Sequence, residues 1–153
     1  MRLALYQPDI AQNTGTILRL GACLGVPVDV IGPTGFDMTD RALRRAGLDY
    51  LDHVDLTRHE SFADFESNLK QRGGRLILLS SHAERAYNEF VFNATDTLML
   101  GRESAGAPDA VHSSADERLC IPMRPGLRSL NIAVAAALVI GEALRQTNGF
   151  PPR

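Results

Sequence analysis

The sequence has little cysteine, and the two cysteines it has are far apart. Cys23 and Cys120 lie outside any CxxC motif or Cys/His cluster, so neither a zinc site nor a redox pair is expected. Isolated cysteines of this kind are typical of small buried side chains in a reducing compartment. The histidines are scattered, and no pair of carboxylates or Ser/His/Asp set stands out. We therefore expect no metal and no hydrolase chemistry.

Long hydrophobic segments are also missing. The amino terminus, MRLALYQPDI, has no extended apolar core followed by small residues, so a secretory signal peptide is not expected. The longest uncharged apolar stretch runs from Leu130 to Gly141, which is shorter than the ~20 residues that a membrane-spanning helix needs. The sequence therefore predicts a cytoplasmic protein with no membrane segment.

Neither sign of charge dominates, since the formal net charge is −2 at pH 7. A nucleic-acid-binding domain is usually basic overall, which argues mildly against such a partner, but a local patch can override the total. Arg41, Arg44 and Arg45 form one tight basic cluster, and Arg128 lies in a loop rich in proline and glycine. These arginines are either ordinary solvated surface charges or a surface for a polyanion.

What the sequence does have is a regular alternation of strand-like and helix-like segments over 153 residues. This pattern is typical of an α/β fold with a mostly parallel sheet flanked by helices. The length is typical of one domain and no linker or repeat interrupts it, so we predict a single domain over residues 1–153. The expected strands are Leu3 to Tyr6, Val28 to Ile31, Leu51 to Leu56, Arg75 to Ser80, Thr97 to Leu100 and Leu119 to Ile121.

Helices are expected between the strands, and each has a recognisable cap. The last one is predicted from about Leu130 to Gln146, with Ser129 as its N-cap. Its first two-thirds, LNIAVAAALVIG, are apolar on every face, so the helix must be buried all round; it either threads the core or packs on another subunit. The other helices begin at the N-caps Asn13, Thr39 and Ser61, run to about Leu24, Ala46 and Arg72, and stop at Gly25, Gly47 and Gly73-Gly74.

Parallel sheets bind ligands beyond the carboxyl ends of their strands, and three loops with unusual composition leave such ends. These loops are Gln7 to Arg19, Gly101 to Pro108 and Ile121 to Asn131. The first brings polar groups to a helix N-terminus, which favours anions, and its Arg19 is expected to point back over that end. The second has glycines that allow close backbone approach, although it is neither a Walker A loop nor a dinucleotide fingerprint. Taken singly, each loop is also typical of a capped helix or a structural turn.

Taken together, the three loops resemble the three motifs of the SPOUT RNA methyltransferases. The segments PDIAQNTGTILRL, RRAGLDY, LMLGRESAGAP and IPMRPGLRSLNIAVAAALVIGEALRQ are most similar to the minimal tRNA (cytidine/uridine-34) 2′-O-methyltransferase family, in order and spacing from end to end. The resemblance implies a C-terminal deep trefoil knot and a homodimer whose active sites use both chains. It also implies methyl transfer from S-adenosylmethionine to the 2′-hydroxyl of the wobble pyrimidine in the tRNA anticodon stem-loop.

The resemblance further implies roles for individual residues. The arginine of the first motif, Arg19, is expected to be catalytic through its charge, since a guanidinium is normally never deprotonated, with Asn13 and Asn131 orienting it or the ribose. Glu103 is expected to hold the second loop or an arginine rather than to do chemistry. The expected tRNA-binding residues are Arg41, Arg44, Arg45 and Arg128. The expected cofactor pocket is lined by Leu79, Gly101, Ile121, Met123, Ser129 and Leu130.

Several positions depart from the family pattern. The second motif usually reads GPETRGLP, whereas here Arg102 replaces the proline and Ala105 the arginine. Relatives often carry a tyrosine where this chain has Gly141, and two prolines where it has Ala11-Gln12. Two alternatives therefore stay open: a SPOUT enzyme that acts on another tRNA or rRNA ribose, and a catalytically inactive RNA-binding homodimer. A nucleotide-binding module of flavodoxin type fits the strand alternation, but it does not explain the final buried helix.

Overall fold

The structure, a computed structural model, describes residues 1–45 and 49–153. Seven parallel strands form one sheet in the order β3-β2-β1-β6-β4-β7-β5. This arrangement confirms the predicted α/β fold with a parallel sheet flanked by helices. The strands are β1 (Arg2–Tyr6), β2 (Val28–Ile31), β3 (Leu56–His59), β4 (Leu76–Leu79), β5 (Arg85–Ala86), β6 (Thr97–Leu100) and β7 (Glu117–Cys120).

Five α-helices and two short 3₁₀ turns connect the strands within the described ranges. Through residues 1–45 and 49–153, no helix is long and apolar enough to cross a membrane. The helices are α1 (Ala11–Leu24), α2 (Asp40–Arg45), α3 (Phe62–Arg72), α4 (Asp109–Ser114) and α5 (Ile132–Thr147), and the 3₁₀ turns are Leu51–His53 and Tyr87–Glu89.

Helices cover both faces of the sheet, because successive strand side chains point to opposite faces. On one face, α1 and α5 pack against a core that includes Leu5 and Leu98. On the other face, α3 and α4 bring Phe65 and Val111 against Met99. Strands that are apolar on both sides are what a sheet buried between two helical layers requires.

The register of the strands brings several loops to one edge of the sheet. Leu5 and Leu79 both pair with Leu100, and Leu79 also pairs with Leu119, so the carboxyl ends of β1, β4, β6 and β7 are nearly level. The loops that follow these strands therefore meet at the same place. This is the edge at which the sequence predicts a ligand.

Two predicted helix starts are wrong. Helix α1 begins at Ala11, its N-cap position is Ile10 with no side-chain hydrogen bond, and Asn13 lies inside the first turn. Pro8 ends the preceding strand early enough for the helix to start before Asn13. Helix α5 begins at Ile132 with Asn131, not Ser129, as its N-cap. The Asn131 side chain accepts hydrogen bonds from two backbone N–H groups, so it outcompetes the serine two residues earlier.

The helix ends and the other caps follow the prediction where they are described. Gly25 ends α1 with a φ of 65°, the left-handed conformation that glycine adopts without strain. Ser61 caps α3 by accepting from the Asp64 N–H, and the Thr39 hydroxyl accepts from the Ala42 N–H at the start of α2. Ala46 and Gly47, the predicted end of α2, lie outside the described residues.

The predicted third strand is misplaced. Leu51–His53 is a 3₁₀ turn, and β3 begins only at Leu56, which pairs with Val28 of β2. The apolar residues of LDHVDL, at positions 51, 54 and 56, do not alternate regularly, and pairing with β2 selects the later segment. The last predicted strand is also shifted, since β7 covers Glu117–Cys120 and leaves Ile121 in the loop. Strand β5, the second 3₁₀ turn and helix α4 were not anticipated.

The last helix is buried on one side only within a single chain. Its residues Ala136, Val139, Ile140 and Ala143 are fully buried against the sheet. Val134 is 49% exposed and Leu138 is 42% exposed on the opposite side. A single chain therefore buries only the side of α5 that faces the sheet, and packing of the other side on another subunit stays a prediction.

Candidate active site

A cleft of about 800 Å³ opens at the carboxyl ends of β4, β6 and β7. Its size is within the range of small-ligand sites in proteins. The floor comes from the strand ends, and the walls come from the second and third loops and the beginning of α5. All six residues predicted for the cofactor line it: Leu79, Gly101, Ile121, Met123, Ser129 and Leu130.

The second loop is a closed turn that only glycine allows at its base. The backbones of Arg102 and Gly106 exchange two hydrogen bonds, of 2.9 and 2.8 Å. A Cβ on Gly101 would lie 2.6 Å from the carbonyl carbon of Gly106, closer than side-chain atoms pack. Gly106 itself has a φ of 66°. The two glycines therefore fix the shape of the cleft wall through the backbone.

A carboxylate joins the second loop to the first. Glu103 accepts a hydrogen bond from the Asp9 backbone N–H at 3.0 Å, and the Ser104 hydroxyl donates to the Asp9 carboxylate. Burial raises the pKa of Glu103, and the neighbouring Asp9 carboxyl raises it further. The interaction with Glu103 holds the pKa of Asp9 below its ordinary value, helped by Ser104. Glu103 therefore joins the second loop to the first through the Asp9 backbone, and its lack of a chemical role stays a prediction.

Two asparagines tie α1 to α5 at the side of the cleft. The side-chain N–H of Asn131 donates to the side-chain Oδ1 of Asn13 at 3.0 Å. The Oδ1 of Asn131 in turn caps α5 by accepting from the Ala133 N–H at 2.9 Å. Both asparagines line the cleft. A side chain held at both ends is pre-oriented, so this pair presents fixed polar groups to whatever the cleft binds.

Arg19 does not line the cleft of its own chain. It lies six residues after Asn13, which places it about 9 Å further along α1 and about 120° around the helix axis. Its guanidinium carbon lies 4.5 Å from the centre of the Tyr50 ring, and its Nη2 donates to the Tyr50 hydroxyl at 3.3 Å. The expected position over the beginning of the helix is therefore not the one that Arg19 occupies.

The predicted tRNA-binding arginines lie in two places. Arg41, Arg44 and Arg45 are exposed on α2, and Arg128 is exposed on the third loop. Arg44 donates to the Asp52 carboxylate at 2.6 Å, which raises the pKa of Arg44 and lowers that of Asp52. Helix α2 packs on the Leu51–His53 turn, which in turn packs on α1, so the α2 cluster lies on the same side as Arg19.

Several residues of the cleft were missed by the sequence reasoning. Ser80, His82, Asp109 and His112 line it, the first two directly after β4 and the last two on α4. The polar Ser80-Ser81-His82 run after a buried strand was the available signal for the first pair. The residues on α4 gave none, because a six-residue helix leaves little periodicity. Across residues 1–45 and 49–153, His, Cys, Asp and Glu side chains form no group of three or more arranged to hold a metal.

Comparison with known proteins agrees with this geometry. The model of the SpoU rRNA Methylase family matches residues 1–141. The tRNA (cytidine(34)-2'-O)-methyltransferase of Beijerinckia indica is 60% identical over 97% of this chain and 92% of its own length.

Two solved structures are also similar in fold. One, from work on the 2-OH methylation of C/U34 on tRNA, is 44% identical, with a TM-score of 0.88 over 95% of this chain and 94% of its own. The SpoU methyltransferase AviRb from Streptomyces viridochromogenes, in complex with the cofactor AdoMet, is 26% identical, with a TM-score of 0.86 over 95% of this chain and 60% of its own. With the family match spanning nearly the whole described fold, the chain belongs to the SpoU rRNA methylase family.

Proposed function

We propose that the protein transfers a methyl group from S-adenosylmethionine to the ribose 2′-hydroxyl of the wobble pyrimidine, position 34, of tRNA. The observation that carries the proposal is the cleft at the carboxyl ends of the strands, whose walls contain every residue expected to hold the cofactor. The names of full-length relatives, which act on cytidine 34, support the choice of substrate. Such an enzyme works in the cytoplasm, where tRNA is modified.

The residues of the cleft suit this cofactor. S-adenosylmethionine supplies an electrophilic methyl group on a sulfonium, so its leaving group needs no activation. Leu79, Ile121 and Leu130 give apolar walls for an adenine ring, and the constrained backbone after Gly101 gives hydrogen-bonding groups for its edge. Asn13 and Ser129 add side-chain polar groups for the ribose and amino-acid portions.

The remaining task of the protein is to prepare the nucleophile. A ribose hydroxyl is a weak acid, so the site must hold it in line with the methyl group and favour the loss of its proton. The Arg19 guanidinium stabilises the negative charge that develops on the oxygen, or binds the adjacent phosphate. Asn13 and Asn131 are already fixed to each other and orient the ribose or Arg19.

Arg19 reaches a cleft only if a second copy of the chain supplies it, so the proposal includes a homodimer. The exposed apolar side of α5, with Val134 at 49% and Leu138 at 42% exposure, supports this assembly. A symmetric dimer that buries this side removes apolar surface from water in both copies.

A mixing experiment tests whether the active site is shared. The Arg19→Ala chain keeps an intact cleft, and a Gly101→Val chain keeps Arg19 but has a blocked cleft. Co-refolded at equal amounts, the two inactive variants should regain about a quarter of the wild-type rate, because half of the dimers are mixed and each holds one intact site. No recovery above either variant alone would contradict the shared site.

The C-terminal knot is the second structural part of the proposal. Strand β7 lies between β4 and β5, and both Leu79 and Arg85 are level with Leu119. The short segment 80–84 that joins β4 to β5 therefore arches over the end of β7. The chain that continues from β7 into α5 has to pass this arch, which supports a threaded C-terminus.

Binding of tRNA is assigned to the exposed arginines of α2 and to Arg128. A single chain offers a small basic cluster, and a homodimer offers it twice, which compensates for the net charge of −2. Contacts of this kind hold the phosphate backbone rather than read the sequence. The cleft, not the arginines, then decides which ribose is methylated.

The direct test is transfer of labelled methyl from S-adenosylmethionine to bulk tRNA, followed by nucleoside mapping. Wild-type protein should give 2′-O-methylated pyrimidine at position 34, and Arg19→Ala should lower kcat about 100-fold or more with unchanged cofactor affinity. Lys70→Ala, which removes an exposed cation on α3, is the matched control and should keep full activity. Label at another tRNA or rRNA ribose would show that the protein methylates a nucleotide other than position 34. Cofactor binding without any methyl transfer would favour an inactive RNA-binding protein.

A further inference from the structure

Tyr50 makes two contacts with the same arginine. Its ring lies under the Arg19 guanidinium at 4.5 Å, a cation–π distance, and its hydroxyl accepts a hydrogen bond from Arg19 Nη2 at 3.3 Å. An exposed arginine normally samples many rotamers, so its guanidinium has no fixed direction. Two contacts with one rigid ring select one direction and leave the rest of the guanidinium open to solvent.

Tyr50 is itself held in place by a packed turn. Its carbonyl oxygen accepts from the His53 N–H at 2.9 Å, which closes the Leu51–His53 turn. Leu51, the first residue of this turn, and Val54, the residue after it, pack against the main hydrophobic core. The ring is therefore anchored to the body of the domain, and the position of Arg19 is fixed relative to the sheet rather than only to its own helix.

The same turn carries the only described acidic partner of the α2 arginines, since Asp52 pairs with Arg44 at 2.6 Å. Tyr50 thus lies between the proposed catalytic arginine on α1 and the proposed RNA-binding arginines on α2. A shift of this turn would move both.

We propose that Tyr50 is a positioning residue for methyl transfer, which pre-orients the Arg19 guanidinium for the cleft of the second copy. This inference rests on the proposed function of Arg19. Because a pre-oriented charge acts on the transition state rather than on the bound substrate, its loss lowers kcat with little change in KM. The aromatic ring provides most of the orientation, and the hydroxyl adds a single longer hydrogen bond.

Two substitutions separate the ring from the hydroxyl. Tyr50→Leu keeps apolar bulk but removes both contacts, and it should lower kcat for tRNA methylation about tenfold. Tyr50→Phe keeps the cation–π contact, and it should retain kcat to within about threefold. Cofactor affinity and melting temperature should stay at wild-type values in Tyr50→Phe, and cofactor affinity should also do so in Tyr50→Leu.

A double-mutant cycle shows whether Tyr50 acts through Arg19. In the Arg19→Ala background, Tyr50→Leu should lower kcat no further, because the side chain it orients is already gone. A tenfold loss in both backgrounds would overturn the inference and indicate a separate role, such as stacking on a base of the RNA or holding the turn. Unchanged kcat in Tyr50→Leu would overturn it as well.

Methyl transfer by the wild-type protein distinguishes failure of the Tyr50 positioning role from failure of the proposed function. If wild-type protein methylates position 34 and the Tyr50 variants behave as independent of Arg19, only the positioning role fails. If wild-type protein binds S-adenosylmethionine but methylates no tRNA, the proposed function fails and the inference fails with it.

Discussion

Buried polar groups at the two ends of the sheet differ in how completely they are hydrogen-bonded. At the amino end, the fully buried Asp29 carboxylate is bonded to Arg2 at 2.9 Å, His59 at 2.7 Å and Arg72 at 3.3 Å. Asp96, also fully buried, accepts hydrogen bonds from Arg75 at 2.7 Å and from the Asn93 backbone N–H at 2.8 Å. Each of these carboxylates has more than one partner, as a buried charge requires.

At the carboxyl end, by contrast, buried polar atoms are left over. Asp9 Oδ1, Thr14 Oγ1 and Arg102 Nε are buried and have no hydrogen-bond partner among the described residues. The Arg102 Nε atom and the Asp9 carboxylate approach only to 3.8 Å. Unsatisfied groups cost stability, and all three atoms lie in the first and second loops at this end, whereas the buried carboxylates of the amino end are paired.

The largest expected effect comes from removing the buried charge of Asp29 at the amino end. Asp29→Asn keeps the shape of the side chain but leaves Arg2 and Arg72 without their shared anion. The free energy of unfolding should fall by about 3 kcal/mol, because a buried charge loses its partner. Urea unfolding at fixed protein concentration measures this change.

The same variant should leave the carboxyl end intact. The cofactor dissociation constant of folded Asp29→Asn should stay within about twofold of wild type. This difference is well below the tenfold change that about 1.4 kcal/mol of binding free energy would give. A tenfold weaker cofactor affinity in fully folded protein would show that the two ends are not separate.

The arginines of α2 form a charged surface apart from the cleft, which we propose binds tRNA. Replacing Arg41, Arg44 and Arg45 with alanine should weaken tRNA binding about tenfold or more and flatten the dependence of log Kd on log salt, because fewer counterions are released. Filter binding over a salt series checks this, and cofactor affinity serves as the internal control. An unchanged slope would remove these residues from the tRNA surface.

The Glu103 and Asp9 pair sharpens the comparison through pH. The pKa of Glu103 is raised above its ordinary 4.5, so Glu103 contributes to the free energy of unfolding below pH 4.5, and this stabilisation is lost as pH rises through the raised pKa. The pKa of Asp9 is lowered, so Asp9 contributes to the free energy of unfolding above its ordinary 3.8, and that stabilisation is lost as pH falls through the lowered pKa. The part of the free energy of unfolding that depends on Glu103 should therefore fall as pH rises above the ordinary pKa of glutamate.

Glu103→Gln imitates the protonated carboxyl at every pH. Its free energy of unfolding should depend less on pH in that window than that of the wild type, and urea unfolding at several pH values compares the two proteins. An identical pH profile in the two proteins would assign the dependence to another group.

The smallest expected effect concerns the exposed Arg44–Asp52 pair. Asp52→Asn removes the anion that partly neutralises Arg44, so tRNA affinity should rise about twofold at low salt and the gain should vanish at high salt. Fluorescence titration with labelled tRNA at two ionic strengths measures it. Weaker binding at low salt would indicate that Asp52 orders the turn under the arginines instead.

Much of the sheet was predictable because its strands are short and mostly apolar. The strands at Leu3 to Tyr6, Val28 to Ile31, Arg75 to Ser80 and Thr97 to Leu100 can be recognised from their own residues, since both of their faces are buried. The prediction for Leu51 to Leu56 was wrong because this segment has only a weak local pattern, and pairing with β2 decides the position of β3. Caps misled where two polar residues compete, as Ser129 and Asn131 do.

The site was predictable to the extent that single motifs build it. The residues of the second and third loops that are predicted to hold the cofactor follow their strands closely, so the motifs are enough to place them beside the cleft. The contacts that organise the site join distant positions, such as Glu103 with Asp9 and Arg19 with Tyr50, and no local pattern announces them. These pairs depend on which strand ends and turns the fold brings together.

Position 34 of the substrate offers the most direct test of the proposed function. Two synthetic tRNAs differ only in the 2′ position of that nucleotide, one with the hydroxyl and one with hydrogen, and each is incubated with wild-type protein and labelled S-adenosylmethionine. The account predicts about one methyl per molecule on the first and none on the second. Equal labelling of the two would place the methyl at another atom and contradict the assignment of the wobble ribose.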